Sequence, residues 1–126
     1  MKRAAQVVVA LVGLLHLYIL VLEMFLWQTE RGMKTFGTTP EFAAASATLA
    51  ANQGLYNGFL AAGLLWGALH PDARIARQLR VFFLACVAVA GVYGAMTVKM
   101  SILYVQTAPA LVGLVLVALA GRSRAG

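Results

Sequence analysis

Charge is scarce in this chain of 126 residues: 11% of it is Asp, Glu, Lys or Arg, and only four residues are acidic. A soluble domain of this size has a high surface-to-volume ratio and needs far more polar surface than that. Cysteine is nearly absent. Cys86 stands alone inside an apolar run, so an intrachain disulfide is excluded and the residue says nothing about redox compartment. Histidine occurs twice, His16 within an apolar run and His70 in a polar link, positions too far apart to share a metal. There is no phosphate-cradling Gly-rich loop ending in Lys-Ser/Thr, no Gly-x-Ser-x-Gly, no His-Glu-x-x-His and no Cys pair. Metal-dependent hydrolysis and P-loop chemistry are not supported, and no cofactor is implied.

What is abundant is apolar: 62% of the chain. Four segments are each long enough, at about 1.5 Å per residue, to cross a hydrocarbon core of about 30 Å. They run over residues 4–27, 41–69, 79–98 and 101–120. Thr39-Pro40-Glu41 opens the second with a capping hydroxyl, a proline at the first helical position and an acid in the first turn. The third has room to extend back to Asp72; in the fourth, Ser101 is a candidate cap and Pro109 predicts a kink. The links are short: a polar, glycine-containing stretch over 28–40, His70 to Gln78, and Lys99-Met100. Short links set neighbours antiparallel, so the predicted fold is an all-α membrane protein, a single domain over 1–126, forming an up-down-up-down bundle of four helices.

The net charge of +6 marks no nucleic-acid surface, because the basic residues flank the apolar runs and form no stripe. Lys2, Arg3, Arg74, Arg77, Arg80, Arg122 and Arg124 fall on one side of the predicted fold; Arg31, Lys34 and Lys99 fall on the other. The positive-inside rule puts both termini in the cytoplasm. A cleaved signal peptide over the first 22 residues is not expected, since no small-x-small site follows the Lys2-Arg3 start.

Ionisable groups inside such segments are the informative exceptions. His16, Leu20, Glu23 and Trp27 share one face of the first segment. An ionised carboxylate at bilayer depth costs about 2.5–3.5 kcal/mol on insertion scales, so Glu23 needs a partner or a proton. The second segment offers Asn52, Gln53, Tyr56 and Asn57, an arc of about 140°. The third adds Tyr93, on a face with Cys86, Ala90 and Thr97; the fourth adds Gln106, with Ala110 and Gly113. Every segment thus brings hydrogen-bonding groups to a similar depth, which predicts a pocket for a small, partly apolar molecule. The bland readings are interhelical packing for the carboxamides, a satisfied core histidine for His16, and interfacial anchoring for Trp27, Trp66 and Tyr104. Trp27 is also placed to lid a pocket. Lys99 is in reach of Glu23 or Glu30, or snorkels. Gly54-x-x-x-Gly58 and Gly63-x-x-x-Gly67 predict close helix contacts, within the bundle or in a homodimer.

Three stretches carry a resemblance: His16 to Trp27 (HLYILVLEMFLW), Asn52 to Leu60 (NQGLYNGFL) and Gln106 to Ala110 (QTAPA). Together they resemble the small bacterial membrane proteins grouped as domain of unknown function 1304. That resemblance spans nearly the whole chain and implies a four-helix fold in the bacterial inner membrane, with no assigned activity; some members carry an "epimerase" label. The residues themselves leave three functions open. In the first, Glu23 is an acid/base with His16 as a second proton carrier or orienting group, Asn52, Asn57 and Gln106 fix a lipophilic ligand's oxygen, Gln53 adds to the ligand site, and Tyr56, Tyr93 and Trp27 form walls. The second is a proton-coupled exporter with one carboxylate in its first helix, disfavoured by the lysine and arginine bias and by the off-centre position of Glu23. The third is a structural or assembly role.

Overall fold

A computed structural model describes residues 1–122; Arg124, counted above at the basic end, lies outside the described residues. Among the described residues there is helix and turn but no strand. The elements are α1 (Lys2–Met24), α2 (Glu30–Phe36), α3 (Pro40–Leu69), α4 (Ala73–Thr97), a π-helical turn (Leu103–Thr107) and α5 (Ala108–Arg122).

Local chemistry sets each boundary. α1 stops at Met24, a turn short of the predicted Trp27, because the chain has to swing into α2. The Thr29 hydroxyl donates to Leu26 O at 2.6 Å and accepts from Gly32 N–H at 3.3 Å, capping α2. Gly32 lies so close to the carbonyls of Leu26 and Trp27 that a Cβ there has no room. Thus residues 28–40, read as a link, hold a short helix, and Gly37 closes it in the left-handed region at φ 68°. Thr39 caps α3 by accepting from Phe42 N–H, with Pro40 in the first turn. Asp72 caps α4, its Oδ1 accepting from Arg74 and Ile75 N–H at 2.9 Å each, so that helix begins at Ala73 rather than Leu79. Those two N–H groups, that of Ile75 foremost, hold the Asp72 carboxyl below the usual range. The kink predicted at Pro109 takes the form of the π-helical turn just before it. Proline has no N–H and its ring crowds the carbonyl four residues back, and a wider turn relieves both. The N–H of Ala108 accordingly reaches Leu103 O, five residues away.

Sequence neighbours run antiparallel, as side-chain contacts show. Gly13 lies against Leu65, and Gly58 against Leu20; Gly67 lies against Leu79, and Gly63 against Phe83. Gly91 meets Thr107, and Gly121 meets Arg77. α5 returns along α1, where Gly113 touches Val8. Both glycine pairs of α3 are therefore used inside the fold, one against α1 and one against α4. The core, with Val9, Leu64, Leu84 and Ala110 among its members, fills the half of the fold that holds the basic residues. No residue of α4 beyond Gly91 is buried.

Three helical stretches are long and apolar enough to cross a membrane: α1, α4 and the continuous run Leu103–Arg122. α3 is the longest helix, and Asn52, Gln53 and Asn57 interrupt its apolar run. Large apolar side chains point outward on every side, as at Leu49, Phe82 and Met96, the last 79% exposed. Such a surface suits lipid and not water.

Gly63 gives this arrangement a test. A methyl group there would collide with the Phe83 ring. Gly63→Ala is expected to destabilise the fold by about 1–3 kcal/mol, the usual cost of overpacking. Denaturant unfolding in detergent measures it, and Phe83→Leu in the same chain should recover most of the loss.

Candidate functional site

The site begins with a missing side chain. A Cβ on Gly54 would stand 2.6 Å from Met24 Cγ, 3.1 Å from Glu23 Cβ and 3.2 Å from Leu20 O. Only glycine lets α3 come this close to α1. One turn further along α3, Gly58 repeats the device against Leu20. Glu23 is pressed between the helices and only 5% exposed.

At that separation Asn57, three residues on from Gly54 and so on a neighbouring face, reaches the carboxylate. Its Nδ2 donates to Glu23 Oε1 at 2.6 Å and to Gln53 O, on its own helix, at 3.2 Å. The partner of Glu23 is thus a neutral carboxamide and not Lys99, which is exposed at the far end of α4. Oε2 makes no hydrogen bond among the described residues. A carboxyl group with one oxygen held and one available can exchange a proton or accept a hydrogen bond from a guest.

Trp27 closes this end of the α1–α3 pair. Its Nε1 donates to Ser46 Oγ at 3.1 Å, Ser46 in turn donates to Phe42 O at 2.6 Å, and the indole ring lies 4.9 Å from the Phe36 ring of α2. Ser46 has no counterpart in the sequence reading. It carries no signal beyond being a hydroxyl in the first turns of α3, and its partner Trp27 lies past the end of α1, where the sequence gives no direction for the indole.

His16 is 1% exposed, on the same face of α1. Its Nδ1 lies 2.8 Å from Val12 O; a carbonyl only accepts, so Nδ1 carries the proton. Nε2 is buried with no partner. The seven-residue step from His16 to Glu23 amounts to about 10 Å along the helix, so the two side chains do not touch.

The remaining predicted residues do not converge on the carboxylate. Asn52 is exposed and donates to Thr48 O of its own helix at 3.0 Å. Gln53 is exposed, and so is Tyr56, at 62%, with its ring edge toward Phe59. Tyr93, 70% exposed, faces outward from α4. Gln106 is half-buried where the π-helical turn packs on Gly91, beside Thr107, whose hydroxyl donates to Ala88 O at 3.1 Å. The reason is geometric. The α3 face with Gly54 and Gly58 takes the contact with α1, so Asn52 and Tyr56 turn to the outside. Among the described residues no cluster of His, Cys, Asp and Glu is arranged to hold a metal.

Fold and site together define an all-helical protein with membrane-length apolar helices and a buried carboxyl–carboxamide pair. A family model described as "protein of unknown function (DUF1304)" matches residues 10–118, and the chain belongs to that family. No curated protein and no solved structure matches the chain.

The pair itself is testable. Asn57→Leu would leave the buried Glu23 without its donor and is expected to destabilise the fold by about 1–3 kcal/mol. Replacing both partners, as Glu23→Met with Asn57→Leu, should cost less than Asn57→Leu alone. Thermal unfolding in detergent compares them.

Proposed function

We propose that the chain crosses a membrane four times, up-down-up-down, with both termini on the cytoplasmic side, and that Glu23 and Asn57 form the polar centre of an intramembrane site for a small lipophilic molecule. Support for α3 as the fourth crossing comes from its ends. Gln6 of α1 donates to Ala68 O at one end, and Trp27 just after α1 donates to Ser46 at the other, so α3 matches α1 along its length. Support for the orientation comes from charge. Lys2, Arg3, Arg74, Arg77, Arg80 and Arg122 gather at one end, against Arg31, Lys34 and Lys99 at the other. The site then lies in the outer half, behind Trp27.

The observation that carries the reading is the buried carboxyl group held on one oxygen by Asn57 from the adjacent helix. A group so costly in hydrocarbon is a functional mark. The proposed chemistry is isomerase-type. Glu23 Oε2 takes a proton from carbon beside a ligand oxygen and returns it to another carbon, while Asn57 keeps the carboxyl group in place. His16, with its orphaned Nε2, marks a second polar point deeper on the same face of α1, outside direct reach of Glu23.

Two experiments test this. Mass spectrometry of the detergent-purified chain should find a co-purifying small molecule that Glu23→Gln loses, the amide keeping the shape and the Asn57 contact. Retention of the same molecule by Glu23→Gln at wild-type level would remove the carboxyl group from the site. Reporters fused after residue 126 and inserted at Gly37 should label opposite sides of the membrane; labelling on the same side would undo the four-crossing topology.

A further inference from the structure

The end of the fold away from Glu23 contains a crevice that packing alone does not explain. It has a volume of about 230 Å³, and Lys2, Arg3, Gln6, His70, Arg77 and Arg80 line it, over a floor that includes Val117 and Ala120. Four permanently charged cations face one small space, and no carboxylate is among its lining residues. Asp72, the only acid of this end, has its Oδ1 engaged by the Arg74 and Ile75 amides.

Two of the cations are held in place. Arg80 Nε donates to Gly67 O at 2.7 Å and its Nη2 to Ala68 O at 3.3 Å, the open carbonyls at the end of α3. Gln6 adds a second donor to Ala68 O at 2.7 Å. The guanidinium of Arg77 lies flat against Gly121, whose lack of a side chain makes the space: a Cβ there would be 3.2 Å from Arg77 Cζ. Like charges fixed side by side repel, and an anion between them removes the repulsion and gains charge-assisted hydrogen bonds.

The anion has an apolar continuation. Leu111, Val112, Val115 and Leu116 form a shallow, wholly apolar groove on the outside of α5. Val112, Leu116 and Ala120 repeat every four residues, so one stripe of the helix leads from the groove to the crevice wall, the last step covering about 6 Å. A phosphate in the crevice with an alkyl chain along that stripe is an amphiphile lying as membrane lipids lie.

We infer that this crevice is a binding site for the phosphate of an anionic phospholipid, with one acyl chain laid along α5. The site is independent of Glu23. It rests on the chain crossing a membrane, which resistance to alkaline carbonate extraction tests separately.

The full-length chain in detergent is titrated with phosphatidylglycerol, phosphatidylcholine or inorganic phosphate, and followed by thermal unfolding and by native mass spectrometry of retained lipid. Phosphatidylglycerol should be retained in preference to phosphatidylcholine and should raise the midpoint, with affinity falling about fivefold for each cation removed in Arg3→Gln and Arg77→Gln. Arg31→Gln, at the opposite end, should behave as wild type. Arg80 is left intact because it caps α3. If Arg77→Gln fails to fold by circular dichroism, Lys2→Gln with Arg3→Gln carries the test. Equal retention of both lipids, an equal loss in Arg31→Gln, or a midpoint rise with inorganic phosphate matching that with phosphatidylglycerol would each overturn the inference, the last by identifying a soluble anion as the ligand.

Discussion

The close approach of α1 and α3 is the constraint on which the other features depend. It exists because Gly54 and Gly58 present bare backbone where Leu20, Glu23 and Met24 arrive. In lipid there is little hydrophobic gain from bringing helices together, so association relies on van der Waals fit and hydrogen bonds between them. The glycine stretch supplies the fit. The same stretch brings Asn57 to a carboxyl group that would otherwise face hydrocarbon, so packing and polarity are solved by adjacent turns of one helix.

α3 uses small residues twice along its length, once at its middle and once near its C-terminal end. Gly54 and Gly58 face α1; Gly63 and Gly67 face α4, where Phe83 and Arg80 fill the vacated space. The helix is thereby a hinge point between two pairs, α1 with α3 and α4 with α5. The two pairs share a core toward the basic end. Toward the other end α4 packs on the π-helical turn and Ile102 and buries nothing beyond Gly91.

Much of this was legible in the residues. Apolar length gave the long helices, and the Thr39-Pro40 signature gave the start of α3 to within a residue. Glu23 and Asn57 were both visible as polar side chains out of keeping with their segments. Two things were not legible. The first was α2: its cap is Thr29, its stop is Gly37, and a helix of two turns leaves too little apolar periodicity to register. The second was direction. The avoidance of lipid by carboxamides predicts that the polar arc of α3 faces inward as a unit. The glycine face overrode it, because two missing side chains, at Gly54 and Gly58, decide which side of the helix α1 can approach. Asn52 is left to donate to its own Thr48 carbonyl. Gly54 could be seen in the sequence as a packing residue, but that it positions Glu23 required the position of α1.

The π-helical turn before Pro109 bears on how residues around it are aimed. Such a turn contains one residue more than the α-helical turn it replaces, which rotates everything on its far side by about 100°. Just before it Ile102 lies against Gly94, and within it Tyr104 faces outward. A chain shortened by one residue here would wind as a plain α-helix and present a different set of side chains to α4, with the rest of α5 undisturbed. The seam between α4 and the run Leu103–Arg122 is therefore set by a count of residues, and lengthening or trimming it re-indexes one wall of that end while the basic end stays as it was.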